Sequence, residues 1–233
     1  MAKRAGAETL AISVYEQLRS AILHGRFAPG ERLKPVELAA SYEVSQGVMR
    51  EALGLLSAKD LVRIDSNRAF HVISLSLAAL ADLTAARKIN EGAALELSVQ
   101  RGGVTWESEI IAAHHRMASL PTRLPGQPVR NEEWAKAHME FHYTLIETCG
   151  NPVLLGICAR LSDAADVYRA WSGPAGREAH RDIAGEHREL LDAALAHDAP
   201  RARALFEAHI ERTRALVADS SMTVDPAAQE AEK

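Results

Sequence analysis

Four of the ten histidines in this 233-residue chain are spaced in a way that imidazole chemistry can use. His138 and His142 stand four residues apart, which puts both on one face of a helix. His187 and His209 fall midway along two later helical stretches. Imidazoles contributed by three helices can converge inside a bundle, and such interiors are where bundles hold metal ions. The order H-x3-H … H … H is no compact finger motif, so simple packing is the other reading of the same residues. His24, His71, His114, His115, His180 and His197 carry no such pattern and read as surface residues. Upstream, Leu80, Leu83, Arg87, Asn90 and Ala94 follow one helical face, so a cation and an amide interrupt an apolar stripe. A buried arginine is costly without a partner. Arg87 therefore needs Glu91, another helix or a bound anion. An enzyme reading would make the histidines a metal-dependent hydrolase or lyase centre. Against it, no nucleophile is paired with a base, and Glu140 points to another face than His138 and His142.

These residues need helices to carry them. Periodicity predicts helices over 76–101, 105–119, 130–149, 151–171, 176–197 and 199–219. The turns between them are marked by Gly102-Gly103, Pro121 to Pro128, Gly150-Asn151-Pro152, Ser172-Gly173-Pro174 and Asp198-Ala199-Pro200. The stretch PTRLPGQPVR is the longest loop and the expected site of mobility. Stripes at Leu154, Leu155, Ile157 and Leu161, and at Leu190, Leu191, Ala194 and Leu195, read as core. Trp106, Trp134 and Trp171 are too scattered for a cage. Residues 221–233 are polar and expected to be disordered. At 47% hydrophobic and 25% charged, the chain has enough apolar material for a core. No apolar run approaches the roughly 20 residues that cross a bilayer. With no signal-peptide pattern, and with Cys149 and Cys158 forming no disulfide framework, the expectation is a soluble, cytoplasmic protein without membrane contact. The two cysteines read as packing residues.

The net charge of −4 argues against nucleic acid only on average. Through Ile73 there are ten Lys or Arg against eight Asp or Glu; the remainder carries 17 against 23. The first part can therefore meet phosphates and the second should not. A helical period begins near Leu10, with Leu10, Val14, Leu18 and Ile22 on one face and Leu23 beside them. Gly25 and Pro29-Gly30 end it. A short helix fits Pro35 to Tyr42, with Val36, Leu38 and Ala39 available for burial. Ser45 is placed as the N-cap of a third helix whose Val48, Ala52, Leu55 and Leu56 repeat with helical spacing. The period then changes to two: Val62, Ile64, Phe70, Val72 and Ile73 form two strands around a Ser66-Asn67 turn. Three helices and a hairpin make a winged helix-turn-helix, whose third helix enters the major groove while the hairpin tip touches the backbone or minor groove. A helical cap domain is the alternative for the same pattern.

The stretch from Gly25 through Pro29-Gly30-Glu31-Arg32-Leu33, Glu37-Leu38-Ala39, Val44-Ser45, Arg50-Glu51-Ala52-Leu53 and Leu61-Val62 resembles the N-terminal domain of the GntR family of bacterial transcription regulators. The resemblance implies double-stranded DNA as partner, read by Lys34, Ser45, Gln46, Gly47, Arg50, Asn67 and Arg68. Arg50 can fork onto a guanine edge or a phosphate; a surface ion pair is its structural alternative. Glu51 is expected in an intramolecular pair. Where the family often has Ser-Arg-Thr-Pro-Val-Arg, this chain has Ser45-Gln46-Gly47-Val48-Met49-Arg50, and the Gln46 amide suits adenine. Val36 stands where an arginine is common, and Ala69 where a glycine is common in the wing. Fewer phosphate-directed charges imply modest, salt-dependent affinity.

The bundle resembles the FCD domain, the effector-binding module of the FadR subgroup of that family, in its shorter six-helix form. Phe141-His142, Leu145, Gly150-Asn151-Pro152, Glu186-His187, Leu190-Leu191, Ala194, Asp198 and His209-Ile210 carry the likeness. It implies a divalent ion on His142, His187 and His209, with His138 where the family has an aspartate. His138 then supplies a fourth nitrogen suited to Zn²⁺ or Ni²⁺, or its longer ring fails to reach, leaving a three-histidine site or none. The family's cavity-facing arginine matches Arg87, which with Asn90 would meet a small carboxylate effector. The expectation is a mainly α protein: a winged helix-turn-helix over 1–74 and an antiparallel helical bundle over 75–220. It would act as a homodimeric, ligand-responsive regulator, in most cases a repressor, and not as an enzyme. A metal-free interaction module in which the histidines merely pack is the remaining alternative.

Overall fold

The structure, a computed structural model, describes residues 2–23, 26–74, 76–126, 130–171 and 181–221. Two units divide the chain: Met1–Ser76 with Asp163–Trp171, and Leu77–Ser162 with Ser172–Lys233. Among the described residues no helix is long and apolar enough to cross a membrane.

In the first unit, α1 runs Ala2–Leu23, beginning ahead of the expected period at Leu10. Its buried face is Ala11, Val14, Leu18, Ala21 and Ile22, while Leu10 is 44% exposed. Val14, Leu18 and Ile22 lie inside as expected, and at the start of the stripe Ala11 takes the inward place expected of Leu10. Gly25 lies outside the described residues. After Pro29-Gly30 comes a strand that periodicity does not reveal, β1, Arg32–Leu33. Gly30 takes φ 76°, the left-handed region that glycine adopts without strain, and donates its N–H to the Val72 carbonyl. Helix α2, Pro35–Ser41, has proline in its first turn and buries Leu38 and Ala39. Val36, expected inside, is exposed.

Helix α3 spans Gln46–Ala58, and Ser45 caps it: its hydroxyl accepts from the Val48 N–H at 3.3 Å. Val48, Ala52 and Leu56 are buried on α3 as expected, joined by Met49 and Leu53, whereas Leu55, expected inside, is exposed. Strands β2, Val62–Ile64, and β3, Phe70–Val72, complete an antiparallel sheet in the order β1-β3-β2. The sheet therefore has three strands, not two, and Ile73 falls beyond it. The wing turn is wider than Ser66-Asn67. Asp65 Oδ1 accepts from the backbone N–H groups of Asn67 and Ala69, both at 2.8 Å. The left-handed position is Arg68, at φ 57°, and not the neighbouring Ala69.

The second unit holds α4 (Leu77–Arg101), α5 (Val104–Ala118), α6 (Glu132–Ile146), a 3-10 turn (Glu147–Cys149), most of α7 (Pro152–Trp171), α8 (Ile183–Leu195) and α9 (Ala199–Ser221). The expected start at 130 moves to Glu132, since Asn131 caps that helix through its side chain; the expected start at 176 lies outside the described residues, and α8 as described begins at Ile183 with Asp182 as its cap. Part of the expected mobile loop, 127–129, lies outside the described residues, as do 172–180 and the tail beyond Ser221. Leu95, Ile110, Phe141, Leu145 and Phe206 are fully buried, with Trp106 and Trp134 beside them. Trp106 Nε1 donates to the Thr144 carbonyl at 2.7 Å, which satisfies its polar edge. Leu154, Leu155, Ile157 and Leu161 are half-buried only, and Cys158 is the buried residue among them. Cys149 and Cys158 are both buried free thiols.

Two substitutions test the reading position. Ser45→Ala leaves the Val48 N–H without its cap and should cost about 1 kcal/mol in urea unfolding. Arg68→Gly relieves a left-handed non-glycine residue and should stabilise by up to about 1 kcal/mol. A neutral result for both would remove the cap and the wing turn from the forces that set the head.

Candidate metal centre and nucleic-acid interface

Helical spacing brings His138 and His142 of α6 to one face, where His187 of α8 and His209 of α9 meet them. The Nε2 of His142 lies 3.0 Å from Nε2 of His138 and 3.2 Å from Nε2 of His187. One donor atom from each of the four rings lies within 4.8 Å of all the others. His138, His187 and His209 are buried and His142 is half-buried. Burial pushes His187 well below the ordinary imidazole value, and the His209 charge adds to it. Burial likewise takes His209 down to about 4, against a partial upward pull from Glu186. His187 and His209 are therefore neutral lone-pair donors near pH 7.

Three such nitrogens so close together cannot satisfy one another. Each pair shares at most one proton, and lone pairs left face to face repel. A cation removes that conflict. For metal–nitrogen bonds of about 2.0–2.1 Å, the edge of a tetrahedron is roughly 3.3 Å, near the 3.0 and 3.2 Å that separate His142 from His138 and His187. The four side chains thus fit a divalent ion, and a donor set without carboxylate suits a borderline-soft ion better than Mg²⁺ or Ca²⁺.

The rings are held from behind. Trp134 stacks on His138, centroids 4.7 Å apart and planes at 21°, and Phe141 meets His142 and His187 edge-on. His209 Nδ1 lies 2.9 Å from Glu186 Oε2. Arg181 donates through Nε and Nη2 to the two Glu186 oxygens at 2.8 and 2.5 Å. Burial raises the Glu186 carboxyl, but the hydrogen bonds from Arg181 and His209 prevail and hold it at about 2. Sequence reasoning missed Arg181 and gave Glu186 no role. The only signal was a carboxylate beside His187, whose partners come from distant parts of the chain.

Arg87 and Glu91 are both buried, and Arg87 Nε and Nη2 donate to the two Glu91 oxygens at 2.7 and 2.9 Å. The first of the three partners expected for Arg87 is thus present. The Arg87 charge is also felt at His209, where it disfavours protonation. Asn90 is half-buried and donates to the Ala86 carbonyl of its own helix at 2.8 Å. The Cys158 thiol is pushed up to about 12 by burial and the Glu91 charge, so it is inert at neutral pH.

In the first unit, Ser45, Gln46, Gly47 and Arg50 are exposed at the start of α3, and Asn67 and Arg68 are exposed at the wing. Lys34 is exposed too, but its Nζ lies 2.9 Å from Glu37. Among the described residues Arg50 has no ion-pair partner, which leaves its surface-pair alternative without support. Glu51, expected in an intramolecular pair, is instead exposed and likewise unpaired among the described residues, because it faces solvent on α3. The strand register adds a row that was not anticipated: Arg32 and Arg63 flank His71 from either side. Period two alone would have placed Arg63 with His71 on the outer face, but the third strand was not visible.

A model of the gntR family of bacterial regulatory proteins matches residues 10–72, and a model of the FCD domain matches residues 82–212. The HTH-type transcriptional regulator BphR of Paraburkholderia xenovorans (strain LB400) is 36% identical over 214 residues, covering 91% of this chain and 87% of that protein. The HTH-type transcriptional repressor GlaR of Escherichia coli (strain K12) is 32% identical over 199 residues, or 84% of this chain and 90% of that one. The solved structure of E. coli McbR/YncC matches with a TM-score of 0.71 over 91% of this chain and 98% of its own. At 19% identity that likeness speaks to the fold alone.

The depressed imidazoles set a pH dependence for protein stripped of metal. Unfolded histidines take a proton near pH 6.5, whereas folded His209 resists until about 4. The unfolded state therefore binds more protons across that window, and stability falls as pH falls from about 6.5 to 4. The loss should be on the order of 1–3 kcal/mol in urea unfolding, and His209→Ala should flatten the curve. A profile level down to pH 4.5 would contradict the buried, neutral cluster.

Proposed function

The chain belongs to the GntR family of bacterial transcription regulators, with an FCD domain behind its DNA-binding head, and on that premise we propose that it senses a small organic carboxylate at a metal centre formed by His138, His142, His187 and His209. The family and the relatives are transcription regulators, not enzymes. The observation that carries the proposal is the convergence of the imidazole nitrogens. Bound there, a Zn²⁺ or Ni²⁺ ion supplies a Lewis-acid point to which a carboxylate oxygen can attach.

The charge pattern supports an anionic effector. Four neutral imidazoles compensate none of the ion's two positive charges, and Arg87 adds a guanidinium whose field reaches His209. Asn90 would line the same side of α4. In this reading residues 1–74 hold DNA and 75–220 hold the effector. Gln46, Gly47 and Arg50 face base edges, while Lys34, Ser45, Asn67 and Arg68 meet the backbone and minor groove. The working form is a homodimer, because a two-fold protein reads a two-fold operator. Since GlaR is named a repressor, the sign we infer is repression relieved by the effector. Relief requires that the carboxylate bind the DNA-free arrangement more tightly than the DNA-bound one; affinity alone shifts nothing.

Selection of bound duplexes from genomic DNA supplies the operator. On it, Arg50→Ala should weaken binding by about 1–3 kcal/mol and relax specificity at one position. Small hydroxy- and dicarboxylates should release the zinc-loaded protein from DNA and leave the chelator-treated protein unaffected. Release that is independent of metal would overturn the proposed centre, and an unchanged Arg50→Ala affinity would make that residue structural.

A further inference from the structure

Glu186 sits behind His209, on the side of the ring away from the other three imidazoles. Its Oε2 is 2.9 Å from His209 Nδ1, and a carboxylate can only accept. Arg181 grips both of its oxygens, at 2.8 and 2.5 Å, so the group acts as a carboxylate. The proton of neutral His209 therefore belongs on Nδ1, which leaves the lone pair on Nε2. Arg181 Nη2 also lies 3.2 Å from Nδ1. Two N–H groups cannot donate to each other, so its hydrogens go to Glu186 and to the His209 carbonyl, 3.1 Å away. Arg181 Nη1 donates to Thr213 Oγ1 at 3.0 Å, and Arg212 approaches Glu186 Oε1 at 3.4 Å from the other side. The carboxylate is thus clamped in position before any ion arrives.

Resting on the metal reading above, we propose that Glu186, clamped by Arg181, is the positioning residue of the centre: it fixes the tautomer of His209 and, through that hydrogen bond, makes the ring a stronger donor to the ion. With His138 among the donors, none of the four carries charge. A carboxylate hydrogen-bonded to a ligating imidazole raises that ring's basicity and orients it, and loss of such a partner costs 10–100-fold in metal affinity. Glu186 is adjacent in sequence to His187 yet serves His209 on another helix, so one short segment of α8 supplies both a ligand and the support of a second ligand.

The test uses the full chain with Zn²⁺ and Co²⁺ as probes, in competition with a chelator of known affinity. Glu186→Gln keeps the size and removes the charge. It should bind either ion 10–100-fold more weakly and shift the visible absorption of the Co²⁺ form. Thr213→Val, which removes one Arg181 contact and leaves Glu186 in place, should stay within about twofold. Wild type that binds while Glu186→Gln binds equally well, with an unchanged Co²⁺ spectrum, overturns the role of Glu186 alone. Wild type that binds neither ion overturns this role and the metal reading together. Ring nitrogen-15 spectra of metal-free wild type need no variant: His209 protonated on Nδ1 is expected, and protonation on Nε2 overturns the assignment.

Discussion

Burying four imidazoles against one another is the constraint on which the second unit turns. A neutral imidazole carries one donor and one acceptor, and a ring taken out of water must find partners for both. His138, His142 and His187 direct the same nitrogen at a common point. Hydrogen bonds among three identical atoms cannot close, and protonation is opposed by burial and by the neighbouring charges. The arrangement is costly as an empty core and favourable as a cation-binding shell. The surroundings agree with that interpretation, since Trp134 and Phe141 fix ring orientation without offering a competing acceptor.

The first unit works by the opposite rule. Its interior is apolar, from Leu18 and Ile22 through Leu53 and Leu56 to Phe70 and Val72, and its polar groups are left at the surface. Among the described residues Arg50 makes no ion pair, and Ser45 secures the start of its helix. Asp65 ties the wing through two backbone amides, which permits the left-handed Arg68 at the tip. Charge at α3 and the wing is displayed, whereas around the second unit's histidines it is enclosed and paired.

What could be read from sequence follows the range of the forces. The Ser45 cap acts across three residues and His138 with His142 across four, so both were legible. Helical periods were legible as periods, but which of two adjoining stripes turns inward depends on the partner surface. That is why Ala11 replaced Leu10 inside, and why Leu55 and Val36 stayed outside. Strand β1 exists only through its register with Phe70 and His71, so no local signal could disclose it. Arg181 is defined by contacts to Glu186, Thr213 and His209, none of which its own neighbourhood suggests.

The exchange of aspartate for His138 and the support of His209 by Glu186 belong to one argument about charge. A direct carboxylate ligand neutralises half of a divalent ion's charge and favours harder cations. An imidazole in its place keeps that charge available to an incoming anion and favours softer ions. Negative charge held one hydrogen bond further out, on Glu186, strengthens the donor without occupying a coordination position. It is itself balanced by Arg181, so the support adds little net field at the point where a carboxylate would attach. The Arg87–Glu91 pair follows the same logic, a cation made tolerable in the interior by an adjacent acid. On the proposed reading, a site built this way would separate the grip on the ion from the attraction for the effector, and each could vary without dismantling the other.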